Sequence, residues 1–225
     1  FGSLTDSRDS KVYKTVEIGN QIWMAENLNF QADSNSYCYQ DSLGNCNSNG
    51  RLYTWNSVMN SDSSIGSNPS EVQGLCPTDW HLPSQAEWDE LANYIDNHSS
   101  NEDQDDNGKY VRVGKYLKKN LAWNSYGGIS NLDSFNFEAT GSGLRLASGS
   151  YSSMGSLGLW WSATEQDSIK AHYVSMAYNH DYFEKVNTAK DMALSVRCLK
   201  NGGVVWSSGT SSSSQSKGSF IDQRD

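Results

Sequence analysis

The side chains best suited to binding a metal ion are the carboxylates and amides between Asp103 and Gly108, where the chain reads Asp-Gln-Asp-Asp-Asn-Gly. Asp103, Asp105 and Asn107 alternate as in the first half of a calcium-binding loop, in which a glycine permits the sharp turn. The second half does not follow, because the twelfth position is Gly114, where a bidentate glutamate is expected. Two interpretations stay open: a structural Ca²⁺ site and a solvated acidic loop.

The four cysteines are candidates for disulfides or for a metal site. Cys38 and Cys46 flank a turn-forming stretch, which favours a local bridge and leaves Cys76 and Cys198 for each other. Closing the longer loop would remove about 5 kcal/mol of unfolded-state chain entropy. Zinc is the alternative, but no pair has Cys-x-x-Cys spacing and no histidine lies at ligand spacing beside them. Two disulfides indicate a location outside the reducing cytosol.

Histidines and tyrosines complete the set of candidates. His81 follows a tryptophan and is interpreted as a packed loop histidine rather than as a base. His172 and His180 lie in an aromatic-rich stretch, where Tyr178 and Tyr182 would stack on sugar rings if they were exposed together. No histidine has a serine or cysteine partner in a nucleophilic arrangement that the sequence supports, so no enzymatic activity is predicted.

A capped helix is the best-defined element that must position these residues. Ser84 and Glu87 have the spacing of a capping box, and the helix is predicted from Gln85 to about Asn97. Apolar residues recur at i, i+3, i+4 and i+7, the spacing of one buried face; they are Trp88, Leu91, Ala92 and Ile95.

Other elements are shorter. Alternation over residues 12–18, followed by Gly19-Asn20, predicts a β-hairpin. Apolar spacing through Leu52, Trp55 and Met59 predicts a short helix over Arg51–Met59, and a second short helix, weakened by Gly114, is predicted over Lys109–Lys119. Three late strands are expected, over Leu157–Thr164, Ala171–Tyr178 and Met192–Leu199.

Composition limits the class of partner. The chain has 225 residues and a net charge of −9, and it lacks the Lys/Arg footprint that nucleic acids and anionic membranes require. No apolar run approaches the roughly 20 residues needed to cross a bilayer, so no membrane insertion is expected. With 8 Trp, 12 Tyr and 6 Phe, an aromatic and irregular core is predicted. The first residue is Phe1, which suggests an exported product whose signal peptide has been removed.

Five ordered segments together point to a known family. They begin at Lys14 (Lys-Thr-Val-Glu-Ile-Gly-Asn-Gln-Ile-Trp-Met-Ala-Glu-Asn-Leu-Asn), Gly50 (Gly-Arg-Leu-Tyr-Thr-Trp), Cys76 (Cys-Pro-Thr-Asp-Trp-His-Leu-Pro-Ser-Gln-Ala-Glu-Trp), Trp161 (Trp-Ser-Ala-Thr-Glu) and Ser195 (Ser-Val-Arg-Cys). Over most of residues 6–200 the chain thereby resembles the Fibrobacter succinogenes major paralogous domain family.

The resemblance carries expectations about fold and location. It implies an α+β, C-type lectin-like fold for residues 1–200, with small twisted antiparallel sheets, two main helices and long loops. It also implies a disulfide from a helix entry to the last strand, the bridge already expected between Cys76 and Cys198. The implied location is extracellular or at the cell surface, and no activity is firmly attached to the family.

Two functions known from similar scaffolds are not supported by the residues. Calcium-dependent sugar-binding lectins use Glu-Pro-Asn or Gln-Pro-Asp and then Trp-Asn-Asp, and neither motif occurs here, where Trp160-Trp161-Ser162 occupies the corresponding strand. The segment Leu82–Trp88 also resembles formylglycine-generating enzymes. Those enzymes use a nearby pair of reactive cysteines, whereas the late region here contains Cys198 alone.

Residues 201–225 form a Ser-rich tail outside the resemblance. Its composition predicts disorder in isolation, but Trp206, Phe220 and Ile221 are apolar anchors that would dock on the same domain or on a neighbouring subunit. A linker to a further domain is the third interpretation.

The predicted function is that of a non-enzymatic, secreted cell-surface protein that assembles with copies of itself into a filament or surface layer through its tail and aromatic surfaces. The alternative is an adhesin module that binds plant cell-wall polysaccharide. No cofactor is expected apart from the structural Ca²⁺ left open above.

Overall fold

The computed structural model describes residues 1–99 and 110–202, which form a mixed helix and sheet structure. The α-helices within these residues are α1 Leu43–Asn49, α2 Trp55–Met59, α3 Gln85–His98 and α4 Val113–Leu117. The strands are β1 Gly2–Thr5, β2 Val12–Ile18, β3 Gln21–Met24, β4 Ser36–Tyr37, β5 Leu52–Thr54, β6 Trp80–His81, β7 Ser142–Arg145, β8 Tyr151–Met154, β9 Leu157–Glu165, β10 Lys170–Ala177, β11 Glu184–Ala189, β12 Ala193–Leu194 and β13 Leu199–Lys200.

The strands form three small antiparallel sheets, as expected. Sheet A has the order β1-β2-β3-β13-β6, sheet B the order β4-β5-β12-β7-β8, and sheet C the order β11-β10-β9. A parallel bridge between Trp160 and Ser195 connects sheet C to the segment that follows β12. The late part of the chain therefore joins all three sheets.

Helix α3 confirms the sequence prediction in detail. The Ser84 hydroxyl accepts a hydrogen bond from the Glu87 backbone N–H, and the Glu87 carboxylate accepts one from the Ser84 N–H, which completes the capping box. Its buried face consists of Glu87, Trp88, Leu91, Ala92 and Ile95. The helix ends at His98, and Ser99 is the last described residue before residue 110.

The structure corrects the predictions for several of the shorter elements. The segment Arg51–Met59 begins as strand β5 and becomes helical only at Trp55. The predicted strand Met192–Leu199 is two short strands, because β12 pairs in sheet B and β13 pairs in sheet A. The cysteine loop contains helix α1 rather than a turn alone.

The expectation of two main helices is also wrong for the described residues, since α3 has 14 residues and α4 has five. The close packing around Gly114 explains part of the shortness of α4. The backbone of the segment after β10 passes so close that a Cβ on Gly114 would lie 2.7 Å from the Tyr182 carbonyl oxygen. The prediction over Lys109–Lys119 starts outside the described residues.

The core is aromatic, as composition predicted. The largest fully buried side chains include Trp23, Trp88, Trp160 and Trp161. Trp88 brings helix α3 onto sheet A, where its ring centroid lies 4.5 Å from that of Trp23. Such ring pairs combine a large buried area with a favourable electrostatic orientation, which suits a chain poor in aliphatic residues.

Two disulfides are present with the pairing expected from the sequence. Cys38 and Cys46 close a short loop, and Cys76 joins Cys198 across 122 positions of sequence. Both Cys76 and Cys198 are fully buried, so the second bridge lies inside the core. It connects the loop before β6 to the residue before β13, and thereby holds the last described strand in sheet A.

Within residues 1–99 and 110–202, no helix has the length and apolar character that a membrane crossing requires.

Candidate functional site

A groove of about 360 Å³ opens between the chain that follows α4 and the end of β10. Amide, hydroxyl, aromatic and aliphatic residues line it: Asn120, Leu121, Trp123, Asn124, Ser125, Tyr126, Ile129, Ser130, Asn131 and Tyr178. None of these lining residues is charged, although the chain has 17 Lys and Arg and 26 Asp and Glu residues. The groove is therefore suited to a neutral ligand that offers hydroxyl groups and apolar surface.

Two tyrosines form the aromatic wall of the groove. The rings of Tyr126 and Tyr178 meet edge to face, with centroids 5.7 Å apart and an interplanar angle of 83°. Tyr126 is 52% exposed, so much of its surface faces solvent. The Tyr178 backbone N–H donates to the Ser156 carbonyl at 3.0 Å, which places this ring at the end of β10.

A buried lysine holds the backbone that carries Tyr178. The Lys118 ammonium donates to the carbonyls of Ala177 at 3.0 Å and His180 at 2.7 Å, and lies 3.4 Å from the Asp181 carboxylate. Burial lowers the pKa of Lys118, and the nearby Asp181 opposes this shift only in part. The ammonium therefore organises residues 177–181 from below the groove.

Hydrogen bonds hold the lining residues Trp123 and Asn124 in place. The Trp123 indole N–H donates to the Ala139 carbonyl at 2.9 Å. The Asn124 backbone N–H donates to the Gly155 carbonyl at 2.8 Å, and its amide donates to the Ser156 hydroxyl at 2.9 Å. A Cβ at Gly155 would lie 2.6 Å from the Asn124 side-chain oxygen, so glycine is needed for this close approach.

Asn131 contributes an unsatisfied acceptor. Its side-chain oxygen is buried and has no hydrogen-bond partner among the described residues. A buried acceptor without a donor costs about 1–3 kcal/mol. The oxygen is closed to solvent, so this cost belongs to the folded loop and gives no contact to a ligand in the groove.

The structure separates the two tyrosines that the sequence grouped. Tyr178 lines the groove, whereas Tyr182 stacks on His180 with ring centroids 4.6 Å apart and is not part of the lining. Tyr126 and the three asparagines were not among the predicted site residues, because glycine and serine punctuate the stretch from Trp123 to Met154, which predicts only long loops and brief strands. Their repeated Asn, Trp and Tyr residues were the available signal.

The other predicted site residues lie outside the described residues. For the open calcium site these are Asp103, Asp105 and Asn107, and for the tail they are Trp206, Phe220 and Ile221. Within the part of the chain that the structure describes, no group of three or more His, Cys, Asp or Glu side chains is placed to hold a metal ion.

His81 is buried, in agreement with its interpretation as a packed residue. Its Nε2 lies 2.7 Å from a Glu87 carboxylate oxygen, and its Nδ1 lies 2.6 Å from the Asn201 side-chain oxygen. Burial by itself lowers the pKa of His81, but the bonds to Glu87 and Asn201 outweigh it and raise the pKa above its ordinary value. The imidazolium thus connects helix α3 to the end of β13.

The tryptophan and arginine motifs of the late region are structural. The Trp161 indole donates to the Tyr53 carbonyl at 2.7 Å, and the Trp160 indole donates to the Asn27 side-chain oxygen at 2.8 Å. Arg197 is fully buried and donates to Asn27 and to the Phe137 and Glu138 carbonyls. Burial lowers the pKa of Arg197 to about 9, and it remains charged at neutral pH. These residues bind the sheets together, and their polar groups are occupied by these internal hydrogen bonds.

Together these features define a disulfide-containing α+β domain with an aromatic, amide-lined surface groove. Residues 16–200 match the family described as the Fibrobacter succinogenes major domain, and the chain belongs to this family. Comparison with curated proteins and with solved structures gives no significant match.

Proposed function

We propose that this protein is a non-enzymatic, secreted module that binds carbohydrate in the groove between Tyr126 and Tyr178. The observation that carries the proposal is the pair formed by the exposed Tyr126 and the half-buried Tyr178, beside an uncharged lining that includes three amide side chains. Aromatic rings stack on the apolar faces of sugar rings, and amides both donate to and accept from sugar hydroxyls. The two disulfides support an extracellular or cell-surface location.

The proposed scaffold is C-type lectin-like. Small antiparallel sheets, helix α3 and the bridge from Cys76 to Cys198 support it. The recognition that we propose differs from that of calcium-dependent lectins, because no carboxylate lines the groove. Retention of sugar should therefore be unaffected by a chelator.

Retention on insoluble cellulose and xylan tests the proposal. We expect Tyr126→Ala and Tyr178→Ala each to weaken binding about 2- to 12-fold, since an aromatic contact contributes about 0.5–1.5 kcal/mol. Tyr182→Ala, which lies outside the lining, is the matched control and should bind like the parent protein. Circular dichroism establishes that each variant is folded. Unchanged retention by both groove variants would exclude this groove as the binding site.

Self-assembly is the second candidate, and its basis is the chain after the matched family region. Residues 203–225 lie outside the described residues, and their sequence places Val204, Val205, Trp206, Phe220 and Ile221 in a Ser-rich stretch. Sedimentation of the full chain and of a chain ending at Gly202 tests this. We expect association only for the full chain. Equal association of both chains would show that the tail is not responsible.

A further inference from the structure

A tight turn separates the groove from a second cavity. The turn comprises residues 119–122 and is closed by the Ala122 N–H, which donates to the Lys119 carbonyl at 3.4 Å. Asn120 and Leu121 line the groove, whereas Lys119 lines a neighbouring cleft of about 180 Å³. The two cavities therefore lie on either side of three consecutive residues.

The second cavity, here called the polar cleft, resembles the groove in its amide groups. Asn29, Asn47 and Asn49 line it, together with the charged side chains of Lys11, Glu26, Lys119, Glu138 and Arg197. The Lys119 ammonium lies 3.1 Å from the Glu138 carboxylate, which also binds Lys14 at 3.2 Å. Arg197 is occupied by hydrogen bonds to Asn27 and to two carbonyls, which leaves amides, hydroxyls and the Glu26 carboxylate for a ligand in the cleft.

Leu121, on the turn between the cavities, combines two unfavourable features. Its φ of 63° is in the left-handed region, where the Cβ of an L-residue crowds the following carbonyl oxygen. Its side chain is 93% exposed, so no burial of apolar surface compensates. Neighbouring hydrogen bonds impose this conformation, since the Lys119 N–H donates to the Ala139 carbonyl at 2.9 Å and the Gly141 N–H to the Ala122 carbonyl at 3.3 Å.

The exposed Leu121 side chain gains no packing from this conformation, which glycine would adopt without strain. Leucine differs from glycine at this position only by an apolar side chain held in solvent. Leu121 lines the groove, and Lys119, two residues earlier, lines the polar cleft; both cavities offer amides. The arrangement matches a ligand that alternates apolar ring faces with hydroxyl groups along its length.

We propose that Leu121 contacts the ligand and that the groove and the polar cleft form one extended site for a linear polysaccharide. This inference rests on the proposed carbohydrate function. A chain of sugars would occupy the groove beside Tyr126 and Tyr178, pass over Leu121 with one ring face, and continue into the polar cleft beside Asn47. A short oligosaccharide would occupy the groove alone.

The first test is Leu121→Gly. We expect its thermal unfolding midpoint to equal or exceed that of the parent, and its retention on insoluble polysaccharide to fall about 5-fold. Two controls separate the effects: Ser10→Gly removes a left-handed non-glycine residue elsewhere, at φ 60°, and Ile169→Ala removes an aliphatic side chain that is 69% exposed. Both controls should retain polysaccharide like the parent. A large drop in the Leu121→Gly midpoint would make the leucine structural and overturn the inference.

The second test is Asn47→Ala, an exposed position in the polar cleft. We expect weaker binding of long soluble polysaccharide chains and unchanged binding of short oligosaccharides. If Leu121→Gly and Asn47→Ala bind both ligands normally while Tyr178→Ala does not, the extended site is wrong and the groove stands. If Tyr178→Ala also binds normally, the proposed function itself is wrong.

Discussion

Single buried charges connect distant parts of this molecule. His81 joins Glu87 at the start of helix α3 to Asn201 after β13, and Lys118 holds the carbonyls beneath Tyr178. Isolated buried charges are costly, and each is retained here with several hydrogen bonds. Each of these side chains therefore fixes the relative position of two segments that are far apart in sequence.

His81 gives a pH dependence with a defined sign. Its pKa is raised in the folded state, so the stability it contributes is complete below the unfolded value of about 6.5 and is lost as pH rises through the folded pKa. We expect the free energy of unfolding to fall across this interval, and His81→Gln to remove that part of the slope. Urea unfolding from pH 5 to 9 measures it. His172→Gln is the control, and an unchanged slope in His81→Gln would contradict the assignment.

Contacts between side chains could be predicted where the two residues are close in sequence. Ser84 and Glu87 are three residues apart, and their reciprocal hydrogen bonds follow from that spacing. Tyr126 and Tyr178 are 52 positions apart, and nothing local to either indicates the other. The groove could not be found from the sequence because its walls come from two separate segments.

Among the elements, helix α3 depends most directly on its own sequence. Its capping residues and the spacing of its apolar residues both predict the observed helix, and its apolar face packs on Trp23. Strands β12 and β13 show the opposite case. The sequence predicted one strand over Met192–Leu199, but residues 195–198 cross from sheet B to sheet A, where the Met24 N–H donates to the Cys198 carbonyl at 3.0 Å. Periodicity does not reveal which sheet a strand joins.

Removing the helix cap tests the strength of this element. Ser84→Ala leaves the Glu87 N–H without its side-chain acceptor in a fully buried position. We expect the free energy of unfolding to fall by about 1–2 kcal/mol. Denaturant unfolding measures the change, with the exposed Ser130→Ala as the control. A variant as stable as the parent would show that the cap is dispensable.

At the scale of the whole molecule, two disulfides of very different loop length stabilise three small sheets. The bridge between Cys76 and Cys198 spans 122 positions, and that between Cys38 and Cys46 spans 8. Since each sheet has short strands and the core is built from large rings, cross-linking the chain contributes much of what a larger aliphatic core would supply.

The loop lengths predict unequal effects of removing the bridges. Replacing Cys76 and Cys198 by serine should lower the free energy of unfolding by about 5 kcal/mol, against about 2.5 kcal/mol for Cys38 and Cys46, because the longer bridge restricts the unfolded chain more. Urea unfolding of both double variants measures the difference. A larger loss for the short bridge would contradict this explanation.

The sequence by itself determined the family, the capped helix, the aromatic core and the pairing of the cysteines. Each depends on local spacing, composition or chain closure, all of which can be read along the chain. Only the tertiary structure decided that Tyr178 faces Tyr126 rather than Tyr182, that residues 192–199 divide between two sheets, and that Lys119 and Leu121 line two different cavities. The physical reason is that these features depend on long-range packing, which places side chains from separate segments within contact distance.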